Sequence, residues 1–224
     1  MISGTAIEAK ARAGEIKTGD IFFTHSFGSI IEIATGYPVS HTGFMIANPS
    51  HLNSLEAAKG EGVCQKSFAK TYCDTRRLSF CIVRLQVPDI SLGPEKAHWR
   101  DINEDEVAKV MTWGLQQQGD SYNESANFGI FLNILMGRMK GDNKFADHHD
   151  DAFNCSAFVG HAVFNGIGLR VVPEKWKKEG PWNYTPGGIL CWGEHRFIAG
   201  DIELYRRGRK KRERYIRKTR KVIC

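Results

Sequence analysis

Along the first hundred residues apolar side chains come in short blocks separated by turn residues. Ile21-Phe22-Phe23-Thr24-His25 follows a polar lead-in ended by Gly19-Asp20 and predicts a short strand. Ser29 to Ala34 predicts a short helix, broken by Gly36-Tyr37-Pro38. Thr42 to Ala47 predicts a second strand, closed by the turn signal Asn48-Pro49-Ser50. Leu55-Glu56-Ala57-Ala58 predicts a third, ended by Gly60-Glu61-Gly62, and the partial alternation from Leu78 to Val87 predicts another.

Beyond residue 100 the spacing becomes helical. Asn103 to Gln118 carries Val107, Val110, Met111 and Leu115 on one stripe, with Asn103 and Glu106 in capping-box register. Phe128 to Met139 predicts a second helix, and Gly141 to Asp151 an exposed polar loop. Cys155 to Asn165 predicts a third helix, stopped by Gly166 and Gly168. Thr185-Pro186-Gly187-Gly188 predicts a turn, with closing strands at Ile189 to Trp192 and Phe197 to Tyr205. The pattern is α+β, a small antiparallel sheet with a helix packed on it.

Length and charge refine this picture. At 224 residues the chain holds one domain, set at 1–204, with a basic tail at 205–224. Of 31 Lys and Arg, 11 lie between Arg206 and Lys221 beside a single acid, Glu213, so the rest of the chain carries 20 basic against 24 acidic residues. Such an arm suits an anionic polymer or membrane surface, or is simply solvated. With only Tyr205 and Tyr215 near it, it offers no stacking platform, and no specific nucleic acid is expected. The first residues have no apolar core of signal-peptide length, and no run approaches 18 apolar residues. A soluble chain made in the cytoplasm is expected, with export by a signal-independent secretion system left open. Six cysteines (64, 73, 81, 155, 191, 224) form no Cys-x-x-Cys pair, so paired-cysteine zinc is not expected, and reduced thiols are favoured over a Cys64–Cys73 disulfide. Asp147-His148-His149-Asp150-Asp151 has ligand residue types but no spaced partner, and no metal or cofactor is assigned.

The chemistry concentrates in Ser40-His41-Thr42-Gly43-Phe44 and Asn154-Cys155-Ser156-Ala157-Phe158. A cysteine in the first turn of a helix sits at the positive end of the helix dipole, which favours a thiolate. The unpaired N–H groups there suit an oxyanion. The competing reading keeps Cys155 as one more core residue on a stripe with Phe158, Val159, Ala162 and Val163. His161 lies about 120° around the same helix and cannot serve as base to Cys155. His41 heads an apolar strand. A tight turn at Asn48-Pro49 would set Glu56 directly across from His41, with Cβ atoms about 4.5–5.5 Å apart, where its carboxylate could orient the ring. A longer loop through Asn53 would shift that register.

With Gly19-Asp20-Ile21-Phe22-Phe23, Leu55-Glu56-Ala57, Gly119-Asp120-Ser121-Tyr122 and Thr185-Pro186-Gly187-Gly188-Ile189-Leu190 in the same order, the chain resembles the circularly permuted branch of the NlpC/P60 papain-like superfamily. This is the YiiX/YaeF-like branch, distantly related to lecithin-retinol acyltransferase. The resemblance implies a papain-like sheet and helix, with Cys155 as nucleophile, His41 as base and Glu56 orienting it. It places Tyr122 at a substrate cleft, although Ser121-Tyr122-Asn123 replaces the more usual Tyr-Asp. Ser40 and Asn154, beside His41 and Cys155, are assigned to substrate binding with it. The insert 123–151 has no counterpart and is expected to form a lid or groove. The activity implied is amide hydrolysis, foremost in cell-wall peptidoglycan peptides, as a secreted effector would perform. The alternative is a lipid-directed acyltransferase or thioesterase with Phe128, Ile130, Phe131, Leu132, Ile134 and Leu135 as an acyl surface. A binding protein with a dead site is disfavoured, because all three triad positions hold competent residue types.

Overall fold

Ile21–Ser26 forms β1, whose first four residues are all buried. A strand with apolar side chains on both parities belongs in the middle of a sheet covered on both faces. The computed structural model, which describes residues 3–26, 29, 32, 37–73, 78–89, 98–123, 152–171, 185–192 and 194–210, places it there. β1 lies between β2 (His41–Ala47) and β5 (Leu78–Pro88). β3 (Leu52–Ala58) and β4 (Gly62–Ser67) extend the sheet beyond β2, while β6 (Trp99–Asp101) and β9 (His195–Gly200) both pair with β5. All these pairings are antiparallel. A separate parallel pair joins β7 (Ser121–Tyr122) to β8 (Ala152–Phe153).

Each face has its own core. On one, Ile21, Phe23, Phe44, Leu55 and Val83 pack with Val110 and Met111 of helix α2 (Glu104–Gln116) and with Phe158, Val159, Ala162 and Val163 of helix α3 (Cys155–Ile167). On the other, Phe22, Met45, Phe80 and Ile82 pack with Ile7 of helix α1 (Gly4–Arg12) and with Phe68 and Tyr72. Fully burying one such side chain contributes about 1.5–3 kcal/mol, so both layers anchor the sheet.

The capping box of α2 forms as its sequence implies: Glu106 N donates to Asn103 Oδ1 (2.9 Å) and Asn103 N to Glu106 Oε2 (3.0 Å). Its stripe differs at one end. Leu115 is 41% exposed, and Gly114 instead faces the core, where an added Cβ would lie 3.3 Å from Leu55 and from Phe158. The lead-in forms α1, capped by Ser3 and anchored by Ile7. β4, β6, β7, β8 and the π-helical turn Ala69–Cys73 were likewise not expected.

Two expectations near the C-terminal end are corrected. Pro186–Trp192 is helix α4, not a turn and a strand. Thr185 caps it, its Oγ1 accepting from Gly188 N at 3.0 Å, and Pro186 takes the first helical position, where its missing N–H costs nothing. The strand expected to reach Tyr205 stops at Gly200, whose φ of +100° admits no side chain, since a Cβ there would come within 2.3 Å of Phe80 O. Asp201 then caps helix α5 (202–210), its Oδ1 accepting from Glu203 N and Leu204 N. The expected boundary at 204/205 falls inside α5, which Leu204 and the Arg209–Glu194 ion pair hold to the body.

Among the described residues no disulfide joins Cys64, Cys73, Cys81, Cys155 or Cys191, so no Cys64–Cys73 bridge forms, and no helix is long and apolar enough to cross a membrane. The helix expected at 128–139, the loop 141–151 with its acidic and histidine cluster, all of the insert but Asn123, most of 29–34 and the tail beyond 210 lie outside the described residues.

Candidate active site

The hairpin between β2 and β3 sets the geometry. Asn48 organises its loop, accepting at Oδ1 from Ser50 N (2.8 Å) and His51 N (3.1 Å), and closing to His51 O through its own N–H. This loop is longer than a tight turn at Asn48-Pro49, and Phe44 therefore faces Leu55. Glu56 thus lies across from Gly43, not directly across from His41. The shift is by two positions, which preserves parity, so His41 and Glu56 still share one face of the sheet as a diagonal pair. Gly43 supplies the clearance: a Cβ there would lie 2.9 Å from Glu56 Cβ and 2.7 Å from Phe22 Cε1.

Across this gap His41 Nε2 is hydrogen-bonded to Glu56 Oε2. Glu56 is 1% exposed, and its carboxylate accepts two further bonds, from Ser54 Oγ to Oε1 at 2.7 Å and from Tyr72 Oη to Oε2 at 2.5 Å. Burial pushes its carboxyl pKa up, but His41, Tyr72 and Ser54 outweigh burial and hold it below the ordinary carboxylate value. Three donors around a carboxylate leave it no need of a proton.

Cys155 reaches His41 from the other layer. It is the first residue of α3, whose apolar side chains pack on the opposite face of the sheet, and its thiol lies near enough to the imidazole to act on its charge. With Nε2 held by Glu56, Nδ1 is the ring nitrogen that remains. Burial disfavours the charged ring, but Cys155 and then Glu56 outweigh it and raise the His41 pKa from 6.5 to about 10.

Of the residues assigned to substrate binding, Ser40 precedes His41 and Asn154 precedes Cys155 in the chain. Asn154 is the N-cap of α3 and 1% exposed, its Oδ1 accepting from Ala157 N (2.7 Å) and Ser156 Oγ (3.1 Å). Its Nδ2 is buried and makes no hydrogen bond. Ser40 is half-buried and donates to Thr24 O from its N–H (2.8 Å) and its hydroxyl (3.5 Å). Tyr122 is half-buried and pairs with Phe153, two residues before Cys155. His161 stacks on Trp113 in the core, with planes 16° apart.

Ser54 and Tyr72 were not anticipated. Ser54 was legible, since it lies two residues from Glu56 on one strand and so on the same face. Tyr72 arrives on a π-helical turn shaped by packing against Phe22 and Phe68, and no spacing in the sequence announces it. Among the described residues no three His, Cys, Asp or Glu side chains gather where they could hold a metal ion.

No family model matches the chain, and no curated protein matches its sequence. Among solved structures it is similar to metalloprotein YiiX from Escherichia coli O157:H7, with a TM-score of 0.57 and 17% identity over 84% of this chain and 98% of that one. The two share a mixed α+β fold with an antiparallel sheet flanked by helices, and at this identity the fold is what the likeness establishes.

Proposed function

We propose that the protein is a cysteine-nucleophile amide hydrolase on a permuted papain-like core, with Cys155 as nucleophile, His41 as general base and acid, and Glu56 orienting the ring. The observation that supports this most directly is the hydrogen bond between His41 Nε2 and the buried carboxylate of Glu56, with Cys155 at the start of α3 acting on the same ring. In the proposed reaction His41 holds the proton taken from the thiol, and sulfur attacks the amide carbonyl carbon. The first N–H groups of α3 and its positive dipole end receive the oxyanion. His41 returns its proton to the leaving nitrogen as the C–N bond breaks. Water, deprotonated by the same ring, then cleaves the thioester and frees the acid and the thiol.

Peptidoglycan peptides are the proposed substrate. The ordered motifs that resemble those of the NlpC/P60 superfamily support this, as does a basic arm of 11 Lys and Arg suited to an anionic wall. Mass spectrometry of defined peptidoglycan fragments incubated with the protein tests it. The expected result is fragments that have gained one water, absent with Cys155→Ala. Intact fragments, with Cys155 still the most rapidly alkylated thiol, would overturn the wall substrate in favour of lipid acyl transfer at the same site.

A further inference from the structure

Tyr72 sits on the one π-helical turn among the described residues, Ala69–Cys73. Such turns are rare and recur at functional sites. Its ring packs against Phe22 and Phe68, each with centroids 5.1 Å away, and lies 24° from parallel with the His41 imidazole at 6.3 Å. The residue is 7% exposed, and its hydroxyl points inward to Glu56 Oε2. That is the oxygen which also receives His41 Nε2–H, while Ser54 holds Oε1.

We infer that Tyr72 is a positioning residue of the Cys155–His41–Glu56 row: by donating to the oxygen that faces His41, it sets how firmly the imidazole keeps its proton. The inference rests on the proposed reading of Cys155 and His41 as the reacting pair. Two donors on one carboxylate oxygen divide its charge. Without the phenol, Oε2 would turn all of that charge on His41, and the ring would yield its proton to a leaving group less readily. The phenol acts only as donor here, since Glu56 offers it no hydrogen, and burial together with the Glu56 charge pushes its pKa above the ordinary phenol value. The flat ring beside the imidazole adds a steric constraint, holding the Nε2–Glu56 orientation.

The test is a nitrogen-15 NMR titration of His41 in the full chain, with the signal assigned by its loss in His41→Asn. Tyr72→Phe keeps the ring and its packing, and removes only the donor. The His41 midpoint is expected to rise by about half a unit or more from the parent to Tyr72→Phe. Uniform 3-fluorotyrosine works in the other direction, because it keeps all six tyrosine hydroxyls and makes each a stronger donor. It is expected to lower the midpoint in the parent and leave it unmoved in Tyr72→Phe. A His41 midpoint that responds to neither change would overturn the inference. The titration uses no substrate, so it stands apart from the hydrolase reading, which fails instead if Cys155 is alkylated no faster than Cys64.

Discussion

His41 and Glu56 meet diagonally across the β2–β3 ladder, the position directly opposite Glu56 being occupied by Gly43. A carboxylate therefore reaches along the sheet to the imidazole through space that no side chain fills. This makes Gly43 part of the site's construction although it carries no functional group.

Gly43→Ala is expected to disturb the site more than its single methyl suggests. The new Cβ would lie 2.7 Å from Phe22 Cε1, 2.8 Å from Leu55 O and 2.9 Å from Glu56 Cβ. Two of these neighbours are backbone or the root of a buried side chain and cannot swing away. Overpacking of this kind costs about 1–3 kcal/mol, and relief by moving Glu56 would break its bond to His41. Urea unfolding should show the loss of stability, and alkylation of Cys155 should slow in the folded protein.

Glu56→Gln tests the charge alone. The side chain keeps its size, but one of its two terminal atoms becomes a donor, opposed to donors from His41, Tyr72 and Ser54. Hydrolysis is expected to fall about 100-fold or more, in line with the loss of an effective general base. The alkaline limb of the rate profile should move to lower pH, because His41 loses a charge that raises its pKa. A profile with the same limbs as the parent would show that Glu56 does not act through His41.

On β5, Arg84 is predicted to be a stability residue. Its guanidinium holds both carboxylate oxygens of Asp20 (2.7 and 2.9 Å) and donates to Glu15 O (2.9 Å). Asp20 is 2% exposed, and burial raises its carboxyl pKa despite the arginine. Arg84→Ala leaves that acid without its partner, a change that costs about 3–5 kcal/mol for a buried pair. Adding Asp20→Asn should recover part of the loss, and a double-mutant cycle on urea midpoints measures the coupling.

These relationships were unequally legible in the sequence. The central strands announce themselves by apolar runs between turn residues, and α2 and α3 by their caps. Cys155, His41 and Glu56 stand out because their residue types occupy a helix start and a strand pair. Register was less legible, because the length of the Asn48 loop depends on the hydrogen bonds that Asn48 makes with Ser50 and His51. The Pro186 helix was hidden by Gly187-Gly188, a pair that signals a turn unless Thr185 caps it. Tyr72 was not legible at all: its place follows from the packing of Phe22 and Phe68, which links residues far apart in the chain.

The paired site also makes a prediction about stability and pH. Folding raises the His41 pKa from 6.5 to about 10, so the folded state binds a proton more tightly than the unfolded state does. That contribution is fully present below the unfolded value and is lost as pH rises through the window from about 6.5 to about 10. Folding lowers the Glu56 pKa, so its contribution has the opposite sense: present above the ordinary carboxylate value and lost as pH falls through the folded one. Stability should therefore decline from neutral toward pH 10. Lysines and tyrosines titrate in the same region, so the slope of the parent alone does not assign the effect. His41→Gln removes the titrating ring and keeps a side chain able to donate to Glu56. The difference between parent and His41→Gln urea midpoints should shrink steadily from pH 7 to pH 10. If the two curves stay parallel across that window, the His41 proton is not bound to the folded state in preference to the unfolded one, and the charged pairing of His41 with Glu56 is wrong.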